Sequence, residues 1–189
     1  MRNILFQMMV SADGFFEGPK GKIDWHTVDE EFNEYAIDLL NNVDFLLFGR
    51  KTYELMVGYW PTAFAIEDDP VIAEKMNNLP KIVFSKTLDK VNWQNTRLIK
   101  ENIVDELTKL KQQPGKDMVI FGSSNLALTL IKHGLIDELR IIINPIILGA
   151  GHTLFNGISH QLHLELLKTK VFNSGNVMLS YHPSQKTDL

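Results

Sequence analysis

The feature that most constrains this chain is the repeated succession of an apolar run of strand length and a segment with helical periodicity. Apolar runs occur at residues 2–10, 43–48, 81–85, 118–122 and 138–148, and helical patterns fall between most of them. A strand–helix–strand succession builds right-handed crossovers, which place the strands parallel in one sheet with helices on both faces. The sequence therefore predicts an α/β fold with a mixed, mostly parallel sheet of about eight strands.

Helical spacing of apolar residues and helix-ending signals give the remaining elements. Helices are predicted from Thr27 onwards, over about 51–58 and about 70–77, from Ile103 to near Pro114, and over 123–133, where Gly134 ends the last one. Residues 97–100 form a weak strand candidate. The tail alternates on both sides of Asn173-Ser174-Gly175, which predicts a terminal antiparallel hairpin. Nothing divides the chain, so residues 1–189 are expected to form a single domain.

Composition excludes several classes of protein. The chain has no cysteine, which rules out disulfides, thiolate nucleophiles and cysteine-bound zinc or iron–sulfur clusters. A net charge of −4 argues against non-specific nucleic-acid binding. The apolar runs are too short to cross a membrane, and no signal-peptide pattern opens the chain, so a cytoplasmic protein is expected. The six histidines show no metal-binding spacing, and no serine-hydrolase motif occurs.

The end of the predicted strand 43–48 is a candidate anion site. It is followed by Gly49, Arg50, Lys51 and Thr52. In an open parallel sheet, ligands bind outside the carboxyl ends of the strands. A glycine lets the backbone approach a ligand, and the amides of a helix start favour an anion. The alternative is a solvated turn that carries two surface bases.

Two further strand ends have the same character. Gly122, Ser123 and Ser124 lie between a strand and a helix, where they suit a diphosphate or are ordinary helix caps. Ser85 and Lys86 follow strand 81–85 and suit a phosphate monoester, or form a polar loop. If the ligand is a dinucleotide, the cations at these ends match an adenosine 2′-phosphate, which favours NADP over NAD.

The long loop 11–26 is the candidate substrate side. It carries glycines and aromatic residues, and its length favours a lid that excludes water over a surface irregularity. Asp13, Trp25 and Glu30 are the candidate substrate-side or catalytic residues. A proton donor needs a pKa raised by burial, which Asp13 could reach under a closed lid; the alternative is that Asp13 forms an Asx turn before Gly14. Gly149, after strand 138–148, could let backbone approach a nicotinamide or form a simple turn.

These motifs together resemble the dihydrofolate reductase fold, and more closely the stand-alone relatives of the RibD C-terminal (reductase) domain. The resemblance covers nearly the whole chain. Its markers are Ser11-Ala12-Asp13-Gly14-Phe15, Gly49-Arg50-Lys51-Thr52-Tyr53, Val83-Phe84-Ser85-Lys86-Thr87-Leu88, Phe121-Gly122-Ser123, Gly134-Leu135-Ile136-Asp137-Glu138-Leu139, Pro145 and Gly149-Ala150-Gly151. The resemblance implies NADPH held by the strand-end motifs, hydride delivery to a small heterocycle or imine-like substrate under the first loop, and a homodimer.

The leading hypothesis is an NADPH-dependent reductase of a small heterocyclic or imine/carbonyl substrate. One version acts in riboflavin biosynthesis as a 5-amino-6-(5-phosphoribosylamino)uracil reductase. The alternatives are dihydrofolate reductase activity, a non-catalytic NADP-binding protein, and a structural dimerisation domain. No metal, nucleic acid or membrane is expected as a partner.

Overall fold

A computed structural model describes residues 1–159 and 161–184, which form one large sheet and one small one. The eight strands of the large sheet are β1 (Ile4–Ser11), β3 (Val43–Gly49), β4 (Lys81–Phe84), β5 (Thr96–Ile99), β6 (Asp117–Phe121), β7 (Glu138–Asn144), β9 (His163–Val171) and β10 (Val177–Ser184). Their order across the sheet is β5-β4-β3-β6-β1-β7-β10-β9. The first six strands in this order run parallel, and β10 and β9 form the antiparallel end. The predicted sheet of eight strands with a terminal hairpin is confirmed.

Helices cover both faces of this sheet because its central strands are apolar on both sides. They are α1 (Glu30–Asn41), α2 (Arg50–Tyr59), α3 (Ala63–Asp68), α4 (Pro70–Asn78), α5 (Ile103–Gln112) and α6 (Ser124–Lys132). On one face, Ile4 and Phe6 of β1 share a core with Leu107 of α5 and Leu130 of α6. On the other face, α1, α2 and α4 pack over a second core that contains Leu5 and Phe48. The resulting layers are helix, sheet and helix.

The structure adds elements that the sequence pattern does not indicate. A small antiparallel sheet joins β2 (Phe15–Glu17) to β8 (His152–Thr153), and α3 lies in the segment that the pattern leaves as a loop. Strand β7 ends at Asn144, so the expectation of a strand that runs on to residue 148 is wrong. The next residue is Pro145, which has no N–H group to continue a sheet ladder.

The small sheet ties together two loops that are far apart in sequence. Strand β2 belongs to the loop after β1, and β8 belongs to the segment after β7. A Cβ atom on Gly151 would stand 2.2 Å from the carbonyl oxygen of Glu17, so only glycine permits this close approach. The loop 11–26 is therefore fastened along part of its length to the chain that follows β7.

The helices described in this structure are too short or too polar to cross a lipid bilayer. Within the same residues, no group of three or more His, Asp or Glu side chains is arranged to hold a metal ion. His160, one of the six histidines, lies outside the described residues.

Candidate functional site

The connections of the sheet diverge between β3 and β6. These strands are neighbours, but the chain leaves β3 towards β4 on one side and leaves β6 towards β7 on the other. Such a switch point opens a crevice at the carboxyl ends of the two strands. Gly49 ends β3 and Phe121 ends β6, so the two glycine-containing motifs meet here.

The starts of α2 and α6 are hydrogen-bonded to each other across this crevice. The backbone N–H of Gly49 donates to Ser123 Oγ at 2.9 Å, and the N–H of Ser123 donates to Thr52 Oγ1 at 3.0 Å. Gly122 and Ser123 both have left-handed backbone, with φ of 59° and 53°. Two successive left-handed residues turn the chain sharply from strand into helix, and they bring Ser123 against Gly49.

Neither of these helix starts is capped by a side chain. The Ser123 hydroxyl accepts a hydrogen bond from the Gly49 N–H and makes no capping bond to α6. Gly49 has no side chain with which to cap α2. Asp29, Thr62 and Asp69 cap α1, α3 and α4, whereas α5 also begins without a side-chain cap. An uncapped start leaves backbone N–H groups and the positive end of the helix dipole available to an anion. The interpretation of Ser123 as an ordinary cap is therefore wrong.

A cleft of about 490 Å³ runs along these two helix starts. On one side, its lining includes Gly49, Arg50, Lys51 and Thr52 with Ser123 and Ser124. The facing side is the small sheet, which contributes Phe16, Glu17, Gly151, His152 and Thr153. The structure thus brings two of the three predicted strand-end motifs into one cleft.

The cations of the site differ in their partners. Arg50 is exposed and forms an i,i+4 ion pair with Glu54 at 3.1 Å. Such an exposed pair contributes at most about 0.5 kcal/mol, so the guanidinium can exchange Glu54 for a phosphate at little cost. Lys51 lines the cleft and is exposed, and Lys86 is exposed one strand away.

The third motif lies beside the cleft and is outside its lining. Phe84 pairs with Gly49 in the sheet, which places Ser85 at the same edge. The Ser85 hydroxyl is buried and accepts hydrogen bonds from the N–H groups of Thr87, at 3.2 Å, and Leu88, at 3.1 Å. Ser85 therefore shapes its own turn, which holds Lys86 out towards solvent.

Asp13 overturns one expectation of the sequence. Ser11 Oγ donates to its carboxylate at 2.6 Å, as do the N–H groups of Leu148 at 3.1 Å and Gly149 at 2.7 Å. The Ser11 bond is the main cause that lowers the pKa of Asp13 to about 2, with help from the two amides. The expectation that the pKa of Asp13 is raised is wrong, because hydrogen bonds favour the charged carboxylate. Asp13 and Gly149 clamp two loops together, and Gly149 lies outside the lining of the cleft.

Trp25 lies on the segment that leads into α1, and Glu30 is the first residue of α1. Trp25 is half-buried, donates from Nε1 to the carbonyl of Lys22 at 3.2 Å, and meets the His26 ring edge-on at 4.5 Å. Of the three neighbouring acids, Asp29 caps α1 and Glu31 pairs with Lys170 at 2.9 Å. Glu30 is exposed at the first turn of α1 and stays the candidate acid of this segment.

Sequence reasoning missed the facing side of the cleft. Glu17 and His152 are in contact, with His152 Nδ1 2.9 Å from Glu17 Oε1. They belong to strands of three and two residues, which are too short to show an alternating pattern. Asn125, in the first turn of α6, also lines the cleft.

The fold and the cleft together define an α/β protein with an open cleft between two helix starts at the switch point of a parallel sheet. The comparison with family models narrows this class. The model of the RibD C-terminal domain matches residues 2–178, and the chain belongs to that family. The dihydrofolate-reductase-like fold and the family expected from the sequence motifs are both confirmed.

Individual relatives agree with this assignment. The chain is 35% identical over 181 residues to the uncharacterized protein YyaP of Bacillus subtilis (strain 168), covering 96% of this chain and 95% of YyaP. A crystal structure of a putative riboflavin biosynthesis protein from Shewanella sp. PV-4 matches with a TM-score of 0.73 and 26% identity, covering 98% and 100% of the two chains. Dihydrofolate reductase from Enterococcus faecalis, complexed with NADP(H), shares the fold with a TM-score of 0.64 at 18% identity, covering 97% of each chain. The family indicates a reductase-like function.

Proposed function

We propose that this chain is an NADPH-dependent reductase of a small heterocyclic or imine/carbonyl substrate. The observation that carries the proposal is the pair of uncapped helix starts joined by Ser123, because they present backbone N–H groups to one cleft. A diphosphate suits such a cradle. When bound, NADPH supplies the hydride, and the protein supplies position and a water-poor site.

The cations near the cleft support a 2′-phosphate on the cofactor. Arg50 and Lys51 start α2, where two positive charges oppose the helix dipole. This arrangement is costly in the free protein and becomes favourable when a dianion binds. Lys86 adds a third cation at the same edge of the sheet. NADPH is therefore expected to bind more tightly than NADH.

The test is a titration of the protein with NADPH and with NADH, followed by nicotinamide fluorescence. Arg50→Ala should weaken NADPH binding by about 10- to 100-fold and NADH binding by less than about 3-fold, because a charge-assisted hydrogen bond to phosphate is lost. Arg97→Ala is the matched control, since Arg97 is also exposed and paired with an acid, Glu106. Equal, weak binding of both cofactors would contradict the proposal.

The substrate is proposed at the level of its class. The solved structures similar to this chain include a putative riboflavin biosynthesis protein, a 5-amino-6-(5-phosphoribosylamino)uracil reductase and a dihydrofolate reductase. The first compound to assay is therefore 5-amino-6-(5-phosphoribosylamino)uracil, and the second is dihydrofolate. No arginine lies between Arg2 and Arg50, so a phosphate on the substrate would depend on lysines such as Lys20 and Lys22. Loss of NADPH absorbance with either compound identifies the reaction. Tight NADPH binding without turnover of pterins, pyrimidines or imines would favour the non-catalytic alternative.

We also propose that two copies associate through one face of the terminal hairpin. Sheet pairing places Ile143, Val177 and Val171 in one row, and Leu139, Tyr181 and Leu166 in another. Leu164, Leu166 and Val171 are 39%, 54% and 69% exposed. None of the described residues that β9 and β10 contribute to this face has a charged side chain. An uncharged apolar face can be buried against its own copy without desolvating an ion.

Light scattering after size exclusion tests this assembly. Leu166→Lys should shift the protein from dimer to monomer, because it places a charge in the interface. Leu55→Lys is the matched control, since Leu55 is 51% exposed on α2, away from the hairpin. A monomeric wild-type protein, or a dimer that persists in Leu166→Lys, would reject this interface.

A further inference from the structure

The side of the cleft that faces the helix starts carries an acid where an anion is expected. Glu17 lies in the lining with its side chain 21% exposed. A carboxylate at this place repels the phosphates of a bound nucleotide. The charged groups of the described lining are Glu17 of β2, His152 of β8, and Arg50 and Lys51 of α2. Glu54 adjoins them through its pair with Arg50.

His152 is the group that can cancel the charge of Glu17. Its Nδ1 lies 2.9 Å from Glu17 Oε1, and its side chain is 63% exposed. The pairing of β2 with β8, together with the close approach of Gly151 to Glu17, fixes the two residues side by side. Only the protonated imidazole can cancel the carboxylate charge, so the net charge of this side of the cleft depends on whether His152 holds its second proton.

We infer that protonated His152, held by Glu17, is part of the phosphate-binding set, so that nucleotide binding takes up a proton. This inference rests on the proposed function, because it assumes a nucleotide in the cleft. When His152 is protonated, the Glu17–His152 pair has no net charge, and the exposed His152 ring can face a phosphate. With His152 neutral, the net charge of this side is negative. The proton comes from solvent, which reaches the exposed ring.

Substitution of Glu17 and substitution of His152 should have opposite effects on NADPH binding. NADPH should bind to the wild-type protein about 5- to 10-fold more weakly at about pH 8.5 than at about pH 6.5. Glu17→Gln should bind tightly at both pH values, because the repelling charge is gone. His152→Gln should bind weakly at both, because the carboxylate stays uncompensated. The 2′-phosphate of NADPH gains charge as pH rises, so it cannot cause this direction of change.

A pair that serves only to hold β2 against β8 would behave differently. Both substitutions would then weaken NADPH binding, and the wild-type pH dependence would survive in His152→Gln. His133→Gln is the matched control: His133 is exposed at the end of α6 opposite its helix start, and its variant should follow the wild type. The readout is the dissociation constant of NADPH by nicotinamide fluorescence.

Proton NMR of the histidine rings supplies a second readout. Adding NADP⁺ should move the titration midpoint of His152 to higher pH and leave that of His133 in place. An unmoved His152 signal, or a flat pH dependence in a protein that binds NADPH, overturns this inference and leaves the proposed reductase standing. Absence of NADPH binding at any pH overturns both.

Discussion

The two halves of the sheet's carboxyl edge are built from similar residues but treat their polar groups differently. At the ends of β3 and β6, two helix starts lack side-chain caps and face an open cleft. At the ends of β1 and β7, the polar side chains are already hydrogen-bonded to other groups of the protein. Asp13 accepts three hydrogen bonds, and Asn144 is fully buried with Oδ1 bonded to the N–H of Thr27 at 3.0 Å.

This difference separates binding from scaffolding. Backbone donors that are left without partners at an accessible edge have hydrogen-bonding capacity to offer a ligand. Side chains that already make their hydrogen bonds within the protein hold loops in place and have few donors or acceptors free for a ligand. The β3/β6 half therefore provides the backbone donors of the proposed cofactor site, and the β1/β7 half supports the loop that faces it.

The largest expected effect comes from a matched pair of asparagines, one in each half. Asn144→Ala removes a fully buried side chain together with its hydrogen bond from the Thr27 N–H, so the free energy of unfolding should fall by about 2–3 kcal/mol. Asn125→Ala removes an exposed side chain of the cleft and should change it by less than about 0.5 kcal/mol. Urea denaturation measures both.

The two asparagine substitutions should also differ in their effect on NADPH binding. Folded Asn144→Ala should keep its affinity for NADPH, whereas Asn125→Ala should weaken NADPH binding. The reverse pattern, with stability lost at Asn125 and binding lost at Asn144, would break the distinction between the two halves.

A smaller effect is expected from pH, through His26 on the scaffold side. Burial lowers the pKa of His26 to about 4, and its Nε2 is buried without a partner within the described residues. The unfolded imidazole takes up a proton near pH 6.5, so the unfolded chain binds more protons between the two values. Stability is full above about pH 6.5 and falls by about 1–2 kcal/mol as pH drops towards 4. His26→Gln should flatten this fall, and His133→Gln should not.

The smallest effect is expected at Ser123, where the two helix starts are joined. Ser123 has a φ of 53°, which glycine adopts freely and alanine does not. Ser123→Gly and Ser123→Ala both remove the acceptor for the Gly49 N–H, but the glycine variant should be about 1 kcal/mol more stable. Thermal unfolding of the two variants compares them directly. Equal stabilities would show that the left-handed turn carries no strain.

The β3/β6 half of the cleft could be predicted from the sequence because its elements are long and regular. Strands 43–48 and 118–122 are apolar and lead directly into helices, so Gly49 and Gly122 necessarily fall at the same edge. Parallel topology then brings the motifs together without any knowledge of side-chain contacts. The fold class and the terminal hairpin followed from the same regularity.

The other half escaped prediction because its structure depends on contacts between distant loops. Glu17 meets His152 through a pairing of two very short strands, and no local pattern announces it. The charge state of Asp13 depends on amides of residues 148 and 149, which lie 135 and 136 positions further along the chain. A sequence shows that Asp13 precedes a glycine, but it does not show which donors will surround the carboxylate.

The bond between Gly49 and Ser123 joins residues 74 positions apart, and the central strand β1 pairs with β6 and β7 from the far half of the chain. Closing such large loops is slow compared with forming the local helices. During refolding, the ability to bind a nucleotide should therefore return after most of the helical signal has recovered. The time at which ligand binding returns therefore reports when the strands of the sheet have finally assembled.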